Sequence, residues 1–424
     1  MTTARDKDID EEAAPLRAAM VRELRELGAI ISDSVADAVA AVPRHLFSVG
    51  EPLEAAYAAN RALVIKRDED GTALSSLSAT HIQAVMLEQA AIEPGMRVLE
   101  VGSGGYNAAL IAELVGKEGA SISVDIDAEI VERARTCLDA AGYEQVEVVR
   151  ADAVAGVPEL APFDRIIVTA GAWDIPSAWL DQLSERGRIV VPLRMRGLTR
   201  SIAFDRVDGP GPELISDSYR LCGFVPMQGA SAYTERLIHI TDGLALRVDD
   251  QKQDFDTDAL AAAVRSPRLE VWSGAAFDLP DELELFLATN TPEMMMLHGS
   301  KDLVDQGLLA LSVTRGVPAL VSGGSFAYRT KRANEATGGF ESGVLAHGPD
   351  AEQVAARYAE LLRRWASDHQ RRGAARISYR PMPAGTAEPS QGVVAKRLGA
   401  VAFSWKRTSD DVCQPMPERR CSWS

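Results

Sequence analysis

The stretch VLEVGSGGYNAALIAELVG (Val98–Gly116) decides the fold. Its first residues, Val98–Val101, form a short β-branched run with Glu100 near the end. Gly102, Gly104 and Gly105 follow, and an apolar helical stretch is predicted over Asn107–Val115. A glycine loop between a strand and a helix lets backbone approach a ligand closely. RVLEV, SISVD, VEVV, RIIVT and RIVVPL are apolar and mostly unalternating, and the early ones are separated by helical stretches, the second at Ala128–Ala141. Continuous apolar strands alternating with helices mean a parallel sheet covered on both faces. The expected fold class is α/β, a doubly wound Rossmann-like domain that takes its ligand at the carboxyl ends of the strands.

Three acids fall at three successive strand ends. Glu100 precedes the first glycine and suits the ammonium of an amino-acid moiety. Asp125 ends SISVD, where a carboxylate accepts from ribose hydroxyls; the nearby Asp127 is the better candidate for capping the next helix. Asp152 lies in RADA, where it either accepts from an adenine amino group or turns the chain. NAD, FAD and S-adenosylmethionine all fit a strand, glycine loop and helix, but no pyrophosphate signature is present and Glu100 favours S-adenosylmethionine. Upstream, SSLSATHIQAVMLEQA opens a helix near Ser78. Ser78 is either a plain N-cap or a hydroxyl that, with free helix-start N–H groups, binds a carboxylate.

The 424 residues suffice for two domains or three. Lys+Arg 45 against Asp+Glu 61 gives a net charge of −16, a poor match to sequence-independent nucleic-acid binding or to anionic membranes. No apolar run is long enough for a transmembrane helix, and the charged N-terminus is no secretory signal. Cys137, Cys222, Cys413 and Cys421 suit neither zinc nor a disulfide framework, and six scattered His make no metal constellation. A cytoplasmic setting is expected. Amphipathic helices are predicted at Ala13–Ile31 and Asp33–Val42. SIAFDRV and SDSYRLCGFVP read as antiparallel strands closing the sheet edge.

The expected organisation is a doubly wound α/β domain over 1–240, helical in 13–90, then a smaller α+β domain over 241–405 and a flexible tail over 406–424. Within 241–405, LEVWSGAAF, LLALSV, PALVSGGSFAYRTK, ARISYRPM and AVAFSW resemble strands, and Asp350–Gln370 a helix. Glu293–Met296 reads as helix core, with an adaptable peptide surface as the alternative. Tyr328, Arg329, Lys331 and Arg332 form a basic cluster, either a solvated strand end or a surface for an acidic peptide.

VPRHLF (Val42–Phe47), SLSATHIQA (Ser76–Ala84), VLEVGSGGYNAAL, SVD, FDRIIVTAGAWDIP (Phe163–Pro176), RGRIVVPL (Arg186–Leu193) and FVPM (Phe224–Met227) together resemble the protein-L-isoaspartate (D-aspartate) O-methyltransferase family, in family order over about residues 15–230. The resemblance implies S-adenosylmethionine as cofactor and an isoaspartyl carboxylate of a peptide or protein as acceptor. It implies Ser78 at the acceptor carboxylate and Glu100, Gly102, Ser103 and Gly104 at the methionine part. Asp125 would take the ribose, Asp152 with Ala153 the adenine, and Gln83 and Gln228 fall near the cofactor. The chain departs from the family pattern in a glycine loop shorter by one residue, in Thr80 for Pro, in Ser75 for Gln, and in ADA for GDG.

In its additional 180 or so residues the chain resembles the long-tailed family branch found beside ribosomally made, lanthipeptide-type precursors. That branch methylates an Asp, leading through succinimide to isoaspartate, and the C-terminal domain would then recognise the precursor. The alternatives are a general isoaspartyl repair enzyme with an accessory domain, a non-catalytic scaffold that binds S-adenosylmethionine, and, more remotely, an NAD oxidoreductase.

Overall fold

The computed structural model describes residues 4–207, 213–233, 235–249, 253–278 and 280–405. The tail over 406–424 lies outside the described residues. In chain order the strands are β1 (Leu63–Arg67), β2 (Ala73–Leu77), β3 (Arg97–Val101), β4 (Ala120–Asp125), β5 (Glu147–Arg150), β6 (Phe163–Val168), β7 (Leu183–Met195), β8 (Leu198–Val207), β9 (Glu213–Leu221), β10 (Arg236–Thr241), β11 (Leu244–Val248), β12 (Leu269–Ala276), β13 (Met294–Gly299), β14 (Val317–Ser322), β15 (Ser325–Asn334), β16 (Gly339–His347), β17 (Arg376–Pro381), β18 (Val393–Ala395) and β19 (Gly399–Ser404).

Ten of them form one sheet in the order β18-β19-β17-β9-β8-β7-β6-β3-β4-β5. Its β5-β4-β3-β6-β7 half is parallel and the remainder antiparallel. The chain runs outward from β3 through β4 and β5, then returns to place β6 on the other side of β3. That reversal opens a crevice at the carboxyl ends of β3 and β6, where such sheets bind ligands.

Alternate residues of β3 face two cores. Val98 packs with the helices at 33–41, 80–90, 106–115 and 128–141, and Leu99 and Val101 belong to the core on the opposite face. The helices at Tyr106–Val115 and Ala128–Ala141 lie where the sequence predicts them. Asp127 caps the second, accepting from Glu129 N at 2.9 Å.

A second sheet of seven strands runs β10-β11-β13-β14-β15-β16-β12 and is antiparallel at every pairing. The helix Ala351–Asp368 covers it with Val354, Tyr358, Leu362 and Trp365, its apolar residues spaced at three and four.

Four expectations are corrected. β17–β19 do not belong with the second sheet. β17 pairs with β9 through Ser378–Ile215 and Tyr379–Leu214, so residues 241–405 are not one unit. The reason is edge protection: β9 would otherwise present an open row of backbone donors and acceptors. Met294–Met296 is a strand; it is buried on both faces between β11 and β14, and such a strand shows no alternation. LLALSV buries Leu309 and Val313 but forms a single-turn helix at Leu311–Arg315, since Ala310 N donates to the Tyr328 hydroxyl rather than to a strand. The segment 13–90 is helical only in part, because β1 and β2 form a separate hairpin.

Candidate functional site

The crevice is walled by four strand ends. β3 supplies Val101–Gly104, β4 supplies Val124–Asp127, β5 leads to Asp152 and Ala153, and β6 leads to Thr169 and Ala170. Leu74–Ser76 of β2 and the segment Val225–Gln228 close it.

The glycine loop is built on tight backbone geometry. Gly102 has φ +98°, and a Cβ there would stand 2.6 Å from Thr169 Oγ1. Thr169 donates its hydroxyl to the Gly102 carbonyl at 2.9 Å, tying the turn to β6. Asp125 closes the turn from the other side. Its Oδ2 accepts from Ser103 N and its Oδ1 from Asp127 N, both at 2.9 Å. Burial pushes the Asp125 carboxyl above its ordinary range. Asp152 caps the short turn Ala153–Ala155, accepting from Val154 N at 3.0 Å, and also accepts from Ala230 N at 2.9 Å. Gln228 Nε2 donates to the Leu74 carbonyl at 3.1 Å, so the closing segment is latched to the hairpin. Among the described residues the buried Ser103 hydroxyl has no hydrogen-bond partner, an unsatisfied donor in the crevice wall.

Six of the expected site residues besides Asp125 therefore line the crevice, namely Gly102, Ser103, Gly104, Asp152, Ala153 and Gln228. Glu100, Gln83 and Ser78 do not. Glu100 points into the sheet, where its carboxylate accepts from Asn107 Nδ2 at 2.9 Å and from Ser123 Oγ at 2.5 Å. It supports the glycine loop from beneath. Gln83 is buried and accepts from Arg44 Nη1 at 3.0 Å. Ser78 is half-buried and is no N-cap, since Ala79 occupies that position and the helix begins at Thr80. Its carbonyl accepts from Arg44 Nη2 at 2.7 Å. His81 makes hydrogen bonds at the helix start, its ring Nδ1 lying 3.3 Å from the Ala59 carbonyl.

Thr169 and Arg44 were not singled out as site residues. Both lie in segments that carry the resemblance, FDRIIVTAGAWDIP and VPRHLF, but their roles depend on pairings distant in sequence. In the basic cluster, Tyr328 is buried, Arg329 pairs with Glu284 at 2.8 Å and Arg332 with Glu341 at 2.7 Å. Only Arg329 is taken into the fold; Lys331 and Arg332 stay exposed, as at a solvated strand end.

Burial raises the Glu100 carboxyl from its ordinary 4.5 to about 7, against the opposing effect of its two donors. The folded state therefore holds a proton that the unfolded chain releases. Stability should fall as pH rises from about 4.5 to about 7, by on the order of 3 kcal/mol from this group. Glu100→Gln keeps the shape and removes the titration. Urea melts at pH 5 and pH 8 should show a smaller loss for the variant; equal losses would mean that Glu100 is not protonated in the fold.

A sequence model of the protein-L-isoaspartate(D-aspartate) O-methyltransferase family matches residues 16–232, just over half of the chain. The chain belongs to this family. A protein-L-isoaspartate O-methyltransferase of Methanopyrus kandleri is 37% identical over 221 residues, 52% of this chain and 94% of that protein. One of Hyperthermus butylicus is 37% identical over 241 residues, 54% of this chain and 95% of that protein. A solved structure described as a protein-L-isoaspartate O-methyltransferase aligns over 85% of this chain and 96% of its own at 22% identity, with a TM-score of 0.48. The protein is thus a carboxyl O-methyltransferase that uses S-adenosylmethionine. The crevice fits that cofactor: a glycine turn at its wall, a carboxylate at the end of β4, and a Ser103 hydroxyl with no partner among the described residues.

Proposed function

We propose that the protein methylates the free carboxylate of L-isoaspartyl residues in polypeptides, the opening step of their repair. The observation that carries this reading is the likeness to isoaspartyl methyltransferases over nearly their whole length, joined to the strand-end crevice. In this reading Gly102, Ser103 and Gly104 hold the methionine part, Asp125 the ribose, and Asp152 with Ala153 the adenine. Gln228 latches the closing segment. A cytoplasmic setting is part of the same proposal.

Bound there, S-adenosylmethionine would supply an electrophilic methyl group to the acceptor carboxylate, already ionised at neutral pH, and would leave as S-adenosylhomocysteine. The chain's work is to orient and partly desolvate that carboxylate. Ser78, held by Arg44 through its backbone, leaves its hydroxyl to donate to the acceptor. A neutral donor positions the carboxylate without blunting its nucleophilicity as a cation would. The ester then offers methanol as a leaving group. Attack by the next backbone nitrogen closes a succinimide, a step that needs no side chain of this protein.

A second reading follows from the chain beyond residue 232, which includes a seven-stranded sheet outside the family match. Here the acceptor is an Asp side chain of a ribosomally made precursor, and the second sheet recognises that precursor. One experiment separates the two. The protein and S-adenosylmethionine are incubated with matched isoaspartyl and aspartyl peptides of unrelated sequence and analysed by mass spectrometry. One added methyl on the isoaspartyl member alone supports repair, and Ser78→Ala should slow it about 10- to 100-fold with cofactor binding kept. No methyl on either, with cofactor binding intact, would overturn the repair reading in favour of a dedicated substrate.

A further inference from the structure

The strand return that places β17–β19 on the catalytic sheet brings Lys396, Arg397 and Leu398 against the two loops that wall the crevice. One loop, following β6, runs from Thr169 to Ile175. The other is Val225–Ala230. Backbone bonds join them: Gly171 N donates to the Val225 carbonyl at 2.8 Å, and Met227 N to the Gly171 carbonyl at 3.1 Å.

These three residues hold both loops. The Lys396 ammonium lies 3.7 Å from the centre of the Trp173 ring and donates to the Arg194 carbonyl. Trp173 in turn stacks on Tyr233, with ring centres 3.6 Å apart. Leu398 N donates to Asp174 Oδ1 at 2.9 Å. Arg397 Nε stands 3.7 Å from Asp174 Oδ2, and Arg397 Nη2 donates to the Ala230 carbonyl at 3.3 Å. The same Ala230 offers its N–H to Asp152 in the crevice wall. Behind them, the Tyr379 hydroxyl donates to the Ile175 carbonyl at 3.1 Å.

A buried ammonium is costly unless attraction from its surroundings offsets desolvation. Lys396 is buried at 4% exposure, and the acids around it are Asp174, Glu235 and Asp249. Much of this arrangement is spent on one loop whose other end lines the crevice.

We propose that Lys396-Arg397-Leu398 is a positioning element of the cofactor pocket. The returning strands β17–β19 set the spacing of the Thr169–Ile175 and Val225–Ala230 walls and thereby the affinity for the cofactor. The catalytic unit is then completed from the far end of the sequence, across the second sheet. This concerns the cofactor pocket and stands whichever acceptor the enzyme uses.

The test uses the full chain and S-adenosylhomocysteine as the probe, with affinity read by calorimetry and stability by urea unfolding. Arg397 is half-exposed, so Arg397→Ala removes its contacts with little threat to folding. It should weaken binding about fivefold while the unfolding midpoint stays nearly constant, and Lys396→Met should weaken binding further. Arg380→Ala, which breaks only an exposed pair with Glu213 on the same returning segment, should bind as the unaltered chain does. Unchanged affinity in folded Arg397→Ala would overturn the proposal. So would lost stability with unchanged affinity, because the segment would then brace the fold alone.

Discussion

Asp125→Ala should raise the dissociation constant for S-adenosylmethionine about a hundredfold and leave a folded protein. The size follows from two separate losses. In the proposed site the carboxylate accepts from the ribose hydroxyls, and hydrogen bonds to a charged partner contribute about 1.5–3 kcal/mol each. A net loss of about 2.7 kcal/mol is a hundredfold in affinity. The second loss is local. Asp125 Oδ2 holds Ser103 N at 2.9 Å, and without it the glycine loop keeps its Thr169 tie on one side only. Asp125→Asn retains an acceptor oxygen for one of the two backbone amides but drops the charge, so it should fall between the parent and the alanine variant. Calorimetry with S-adenosylhomocysteine reads the affinity directly. Cofactor-dependent thermal stabilisation gives an independent check, since a ligand at 100-fold its Kd adds about 2.7 kcal/mol. An alanine variant that binds within a factor of about two of the parent would remove Asp125 from the ribose site.

The glycine loop and its neighbours were legible because their signals are local. Asp127 immediately precedes the helix Ala128–Ala141 and caps it by accepting from Glu129 N, and both helix ends agree with the apolar spacing. Asp125 and Asp152 reach the crevice because strand ends in a parallel sheet converge there. Glu100 shows where that argument stops. It precedes the loop by two residues, yet alternation along β3 turns it inward toward Asn107 and Ser123, while the odd-numbered Val101 meets the crevice. The return of β17 to β9 was not legible at all. It spans more than 150 residues of chain, and Ile377 and Tyr379 alternate as they would at any sheet edge. Met294–Met296 failed for a different reason, since a strand buried on both faces and a buried helix share one apolar run.

The fate of Arg44 tests how far the acceptor segment depends on the N-terminal helices. Arg44 has no solvent exposure, and among the described residues no carboxylate lies within ion-pair distance of it. Its guanidinium instead spans three segments. Nε donates to the Ala56 carbonyl at 2.9 Å, Nη1 to Gln83 Oε1 at 3.0 Å and Nη2 to the Ser78 carbonyl at 2.7 Å. Its carbon centre lies 4.6 Å from the centre of the Tyr106 ring, the first residue of the helix after the glycine loop. Desolvation lowers its pKa, and Tyr106 and Tyr57 oppose that shift beside the three neutral acceptors. Arg44→Met fills similar volume and strands the acceptors, each buried orphan costing about 1–3 kcal/mol. The variant should lose at least about 3 kcal/mol in urea unfolding. On the role proposed for Ser78, its remaining activity should show a raised KM for the isoaspartyl peptide, because the Ser78 segment loses the Arg44 bond to its carbonyl. Arg44→Lys keeps the charge but offers one nitrogen where three separated donors are needed, so it should recover only part of the stability. Full recovery by lysine would mean that the charge over Tyr106 matters and the three-way brace does not. A methionine variant within about 1 kcal/mol of the parent would show that the Ser78 segment is held in place without Arg44.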